Sequence, residues 1–151
     1  MVGYCRNYCI NIAKGDYILF VDADDFCENT LIEKALEKIT STNSDICFFN
    51  YDRYDSIKNA FLPMPWILKT NLLDLTKDFF SINDNNHAFH ISTVCPMKLF
   101  KTDFIKKFNI RFAEGIFGED AIFTYNAIWN ASKITYILDI LYHYRVNQNA
   151  N

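Results

Sequence analysis

Apolar positions near the start of the chain recur at helical spacing. Cys5, Tyr8, Cys9 and Ile12 fall at i, i+3, i+4 and i+7, with Arg6, Asn7, Asn11 and Lys14 off that stripe. The spacing predicts an amphipathic helix over residues 4–14 that buries the stripe, with Gly15 as the glycine just past its end. Next comes "YILFV", Tyr17 to Val21, a short β-branched and aromatic run with no polar alternation. It predicts a strand covered on both faces, as in a parallel sheet. In "ENTLIEKALEKI", Thr30 and Glu33 have capping-box spacing ahead of the apolar positions of a helix. "DICFFNY", Asp45 to Tyr51, is a second buried strand, so a strand-helix-strand unit runs from 17 to 51. A right-handed parallel crossover is its default geometry.

The stretch from about 55 to 95 carries little periodicity. Pro63 and Pro65 flank Met64, and "SINDNNHAFH" is polar with loop chemistry. Beyond Pro96, "KLF" reads as a short strand, Thr102 to Phe108 as a short helix, and Gly118 to Ala131 as a longer helix opened by Glu119 and Asp120. "KITYIL" and "ILYHYRV" read as two closing strands. Strands alternating with helices predict an α/β domain.

Composition narrows the class. The chain has 151 residues, half of them hydrophobic and 17% aromatic, enough to bury a core in one domain. The formal net charge is −3 and no Lys/Arg block occurs, which argues against nucleic acid as a partner. Cys5, Cys9, Cys27, Cys47 and Cys95 form an odd set without a CxxC pair; they read as reduced thiols of a cytoplasmic protein. No apolar run approaches the ~18 residues of a membrane span. The expectation is a soluble chain that can still rest on a membrane surface.

Candidate chemistry begins where "YILFV" ends in "DADD". Asp22, Asp24 and Asp25 crowd three carboxylates at a strand tip, while Thr30 and Glu33 are available to cap the following helix. Like charges so close repel, and a divalent cation relieves the repulsion. Mg²⁺ or Mn²⁺ takes one or two protein carboxylates and completes its shell with phosphate oxygens and water. Ligands of open α/β sheets bind outside the carboxyl ends of strands. The motif therefore reads as a site for a metal-bound phosphate ligand. Phosphatases of the haloacid-dehalogenase type also place Asp-x-Asp after a strand, but they continue to Thr or Val where this chain has Phe26.

"RNYCINIAKGDYILFVDADD" resembles the RN-to-DxDD segment of family 2 glycosyltransferases with the GT-A fold. "CPMKLFKTDFI", "IRFAEGIFGED" and "ILYHYRVN" follow in that family's order. The resemblance implies a Rossmann-related, mostly parallel sheet with flanking helices. It implies transfer of a sugar, with inversion, from a nucleotide-sugar donor, UDP-linked in the first instance, to a hydroxyl of a glycan acceptor. The expected setting is bacterial surface polysaccharide, capsule or lipooligosaccharide synthesis at the inner face of the membrane. Position by position, Asp22 matches the aspartate near the ribose and Asp24 the metal ligand bridging to the diphosphate. Asp25 faces donor sugar or acceptor. Arg6 and Asn7 match the RN pair of the helix lining the donor site, with Arg6 reaching the diphosphate. Asp120 matches the catalytic base and Glu119 its support. His143 stands where some relatives carry a further metal ligand, against the plainer reading of a half-buried strand histidine. His87 and His90, three apart in a polar loop, lack a third ligand.

The family's opening V-S-x-I-I-P-x-Y-N strand and D-G-S-x-D segment do not occur in these 151 residues. The expectation is thus a GT-A domain lacking roughly 60–80 residues, about two βαβ units. The strand at 17–21 would then carry a naked edge open to self-association. The alternative function is an inactive remnant or interaction domain that uses this edge.

Overall fold

The computed structural model describes residues 2–62, 78–81 and 93–146. Helix α1 (Val2–Ile12) leads to β1 (Tyr17–Leu19), an acidic turn and the short β2 (Phe26–Cys27). Helix α2 (Leu31–Thr42), β3 (Ile46–Asp55), β4 (Ala60–Leu62) and β5 (Phe79–Phe80) follow. A 3₁₀ turn over Cys95–Met97 then precedes β6 (Lys98–Lys101), α3 (Thr102–Lys107), α4 (Glu119–Asn130) and β7 (Ile134–Val146). Pro63, Pro65, His87 and His90 lie outside the described residues.

The strands form one sheet in the order β1-β6-β3-β7-β2, with β4 on the edge of β3 and β5 on β7. The α/β class with flanking helices holds, but the mostly parallel sheet does not. Among the described residues only β3 and β7 pair in parallel; every other pairing is antiparallel. The cause is β6, which enters between β1 and β3 and runs opposite to both. The strand-helix-strand unit therefore has its two strands in the same direction, one place apart. The carboxyl ends of β1, β3 and β7 consequently share one rim, and the acidic turn stands on it.

Burial explains the apolar runs. Along β3, Ile46 and Phe48 face a core with Ile10, Phe20, Phe100, Phe123 and Ile128, under α1 and α4. Cys47 faces Ala35 and Ile39 of α2, and Phe49 and Tyr51 face Leu31. A strand sandwiched this way reads as unbroken apolar sequence whatever its neighbours' direction. Burial pushes the Cys47 thiol up to about 12, so it behaves as a small core hydrophobe.

Three local expectations are corrected. Thr30 stands at the N-cap of α2 but makes no side-chain capping bond, so no capping box forms. The helix instead ends firmly, on Asn43 in the left-handed conformation with the Ser44 N–H donating to Ile39 O. Gly15 is not a left-handed cap, because α1 has already ended at Ile12. The two expected closing strands are one, β7, whose register against β3 slips around Asn50. Asn50 Nδ2 donates to Leu138 O (2.8 Å) at that irregularity.

Candidate active site

The site is built by α1, the acidic turn and the start of α4. Helix α1 is turned differently from its apolar stripe. Tyr8 and Ile12 are 58% and 57% exposed, Cys5 and Cys9 are exposed too, and Gly3, Asn7 and Ile10 point inward. Asn7 decides this. Its side chain donates to Phe112 O (2.9 Å) and accepts from Phe112 N (2.9 Å), with a further bond to Glu114 Oε1 (2.9 Å). Gly3 permits the approach, since a Cβ there would stand 2.5 Å from Ala113 O. Asn7 thus locks α1 to the segment leading into α4.

Its neighbour on the helix is Arg6. Its guanidinium lies over the Phe112 ring, 5.3 Å from the centroid, and Phe112 itself stacks on Phe123 at 3.9 Å. Nη2 donates to Asp22 Oδ1 (2.7 Å), while Nη1 bonds Asp120 Oδ1 and lies 3.5 Å from Glu119 Oε1. Residues expected at opposite ends of a transfer reaction therefore meet on one cation. Burial raises the Asp120 carboxyl above its ordinary range, and Glu119 and Asp22 push the same way; Arg6 and the Cys95 N–H oppose them. A carboxylate so raised is a stronger base than a solvated one.

The turn is held from below. Asp25 N donates to Asp22 O (3.1 Å). The Tyr142 hydroxyl donates to Asp25 Oδ2, and Arg145 N donates to Asp25 Oδ1 (2.8 Å). Burial raises the Asp25 carboxyl in spite of these bonds. Asp24 differs. It is exposed, and its carboxylate has no hydrogen-bond or ion-pair partner among the described residues; only its carbonyl is taken, by Arg145 Nε (2.7 Å).

Protein carboxylates engage the His143 ring on both sides. The ring is buried, with Nδ1 2.6 Å from Asp52 Oδ1 and Nε2 3.0 Å from Glu28 Oε1. Both ring nitrogens thus face protein carboxylates. Among the described residues no group of three His, Cys, Asp or Glu side chains is arranged to hold a metal. The donor set fits Mg²⁺ or Mn²⁺ in one mode only, with Asp24, and Asp22 beside it, supplying one or two carboxylates and a phosphate ligand the remainder.

Sequence reading named Arg6, Asp22, Glu119 and Asp120 in separate roles, the structure brings them into contact, and it adds Tyr142 and Arg145, which the sequence reading did not name. The overlooked signal is a polar tip on an otherwise apolar strand near its carboxyl end, in "YHYR".

Residues 2–108 match the family model described as Glycosyl transferase family 2. The chain belongs to that family. Among family 2 relatives, a poly(ribitol-phosphate) beta-glucosyltransferase of Bacillus spizizenii is 34% identical over 149 residues, 97% of this chain and 22% of the relative. The poly(ribitol-phosphate) beta-N-acetylglucosaminyltransferase TarS of Staphylococcus aureus is 27% identical over 143 residues, 94% of this chain and 23% of TarS. The chain thus spans less than a quarter of the length of these two family 2 proteins. The crystal structure of S. aureus TarS 1–349 in complex with UDP-GlcNAc superposes with a TM-score of 0.77 at 23% identity, over 97% of this chain and 39% of that one. The GT-A architecture holds for this family 2 chain, antiparallel strands included. No helix among the described residues is long and apolar enough to cross a membrane.

Proposed function

We propose that this family 2 chain carries the donor-metal turn and the base of a glycosyltransferase site. The reaction is transfer of a sugar from a nucleotide-sugar donor, UDP-linked in the first instance, to a hydroxyl of a glycan acceptor, with inversion. One observation carries the reading: Arg6 ties the DxD turn to Asp120 while the Asp24 carboxylate has no partner among the described residues. The activities of the relatives on poly(ribitol-phosphate) support a role in bacterial surface polysaccharide synthesis. The setting we propose is the cytoplasm, at the inner face of the membrane.

A divalent cation bound at Asp24 and Asp22 would supply positive charge to the donor's diphosphate as it leaves. The chain's own residues do the rest. Asp120 takes the proton of the acceptor hydroxyl as that oxygen attacks the anomeric carbon from the face opposite the diphosphate. The bond to the diphosphate breaks, its electron pair leaves with the phosphate oxygen, and the configuration inverts. Arg6 keeps Asp120 and Asp22 in one fixed relation, so donor and acceptor meet in a set geometry. Glu119 supports by holding the same guanidinium.

The test is calorimetric titration of the chain with UDP and GDP, with and without Mn²⁺, repeated on Asp24→Ala. Metal-dependent binding that the substitution abolishes is expected. Absence of binding to the folded wild-type chain removes the reading.

One observation favours a second reading, a non-catalytic interaction domain. Strand β1 ends the sheet with a single partner strand among the described residues, and α1 beside it shows Tyr4, Tyr8 and Ile12 to solvent.

A further inference from the structure

The closing motif "ILYHYRVN" has no role in the reaction above, yet its side chains converge on the acidic turn. Tyr142 reaches it from within β7: its hydroxyl donates to Asp25 Oδ2 and receives Asp22 N–H (3.3 Å). Arg145 reaches it from the strand's end, with Nε on Asp24 O (2.7 Å) and its own N–H on Asp25 Oδ1 (2.8 Å). The Arg145 guanidinium is itself held over the rings of Phe26 (5.3 Å) and Tyr54 (5.8 Å). Between them, His143 stacks on Phe26 at 4.6 Å and contacts Glu28, while Asp52 of β3 holds its other nitrogen. The segment from Asp22 to Glu28 is gripped along its length by three side chains of one strand. The backbone of Asp22, the backbone of Asp24 and both oxygens of Asp25 are occupied. The carboxylate of Asp24 is spared.

We propose that Tyr142, His143 and Arg145 are positioning residues that preset the acidic turn with the Asp24 carboxylate presented to its ligand before any ligand arrives. Asp25 is then the anchor of the turn rather than a group facing the substrates. Arg145 does two things that lysine cannot. Its planar guanidinium stacks on aromatic rings while its Nε–H bonds a carbonyl, whereas an ammonium has neither the plane nor the fork. Tyr142 serves both sides of the turn through one hydroxyl, as donor to Asp25 and acceptor from Asp22. Presetting a loop removes the ordering cost that binding would otherwise meet. That this ligand is a metal-bound diphosphate rests on the function proposed above; the grip itself does not.

The two claims separate in one experiment with two readouts. Amide hydrogen exchange is measured on the ligand-free chain for wild type, Tyr142→Phe, Arg145→Met and Arg145→Lys. Tyr142→Phe removes only the hydroxyl, and Arg145→Lys keeps the charge. Exchange at Asp22 and Asp25 is expected to quicken roughly fivefold in each variant, the scale of one lost hydrogen bond. Amides of β3 and β6 should stay unchanged. Unchanged exchange at Asp22 and Asp25 in both Tyr142→Phe and Arg145→Lys overturns the proposal. If Arg145→Met loosens the whole sheet, the two milder variants decide. Mn²⁺–UDP titration of the same proteins is the second readout. Affinity several-fold weaker in Arg145→Lys is expected, and affinity equal to wild type overturns the presetting role even where exchange has changed. A wild-type chain that binds no Mn²⁺–UDP removes the diphosphate reading and leaves the grip to be judged by exchange alone.

Discussion

Two ionisable groups, one half-buried and one fully buried, mark the residue scale. Asp120 must be ionised to accept a proton, and burial sets its carboxyl above the ordinary 3.8. The transfer rate should therefore fall as pH drops through that raised value, at a higher pH than a solvated carboxylate would give. Arg6 opposes the shift, so Arg6→Gln should move this acid limb further upward. Asp120→Asn should remove the limb and cut turnover by about 10²–10⁴-fold while sparing nucleotide affinity; pH–rate profiles and titrations check all three. Lys98 is the other group. It is fully buried on β6, donating to Val94 O, with its ammonium 5.1 Å from the Phe48 ring centroid. Burial lowers it from 10.5 to about 7. Between those values the unfolded chain binds the extra proton, so this group's contribution to stability improves as pH rises and is least favourable below about 7. Lys98→Met should thus gain stability relative to wild type on going from about pH 10 to about pH 6, read from denaturant midpoints. A difference independent of pH would refute the assignment.

At the scale of elements, the orientation of α1 is the informative error. The stripe Cys5, Tyr8, Cys9 and Ile12 has good helical spacing, and the helix it predicts exists, shifted by two residues. The apolar stripe faces solvent, whereas the inward face mixes Gly3 and Ile10 with Asn7, which locks a loop, and with Arg6, which reaches the carboxylates. Asn7→Ala should cost about 1–3 kcal/mol by stranding both backbone groups of Phe112, while Tyr8→Ser should change stability by no more than ~0.5 kcal/mol, both read by urea denaturation. The strands "YILFV" and "DICFFNY" were legible because burial on both faces writes an unbroken apolar run. Their neighbours were not, since pairing direction depends on β6, whose four residues carry no directional signal. Within the site, "DADD", Arg6 and "GED" were legible as local motifs. Tyr142 and Arg145 were not, because their partners lie 117 and 120 residues earlier in the chain.

At the scale of the whole molecule, β1 ends the sheet among the described residues. The outer edge of β1 and the exposed face of α1 lie on the surface the second reading uses. If that reading has force, sedimentation should show mass rising with concentration, reversed by Tyr8→Lys with Ile12→Lys; a monomer at all concentrations would count against it. The opposite flank has a different consequence. The turn closing β1 takes several of its fastenings, from Tyr142 and Arg145, near the far end of β7, so its full shape is a late event in the life of the chain. At ~5–20 residues per second a ribosome needs roughly ten seconds to pass from one to the other. Through that interval a cluster of carboxylates stands ready-made in sequence but without the fastenings of β7. Long loops must also close before the fastening forms, which slows folding. Nascent chains that have not yet delivered β7 should carry the motif without its ligand-ready shape, so that competence arrives with β7 rather than with the motif itself.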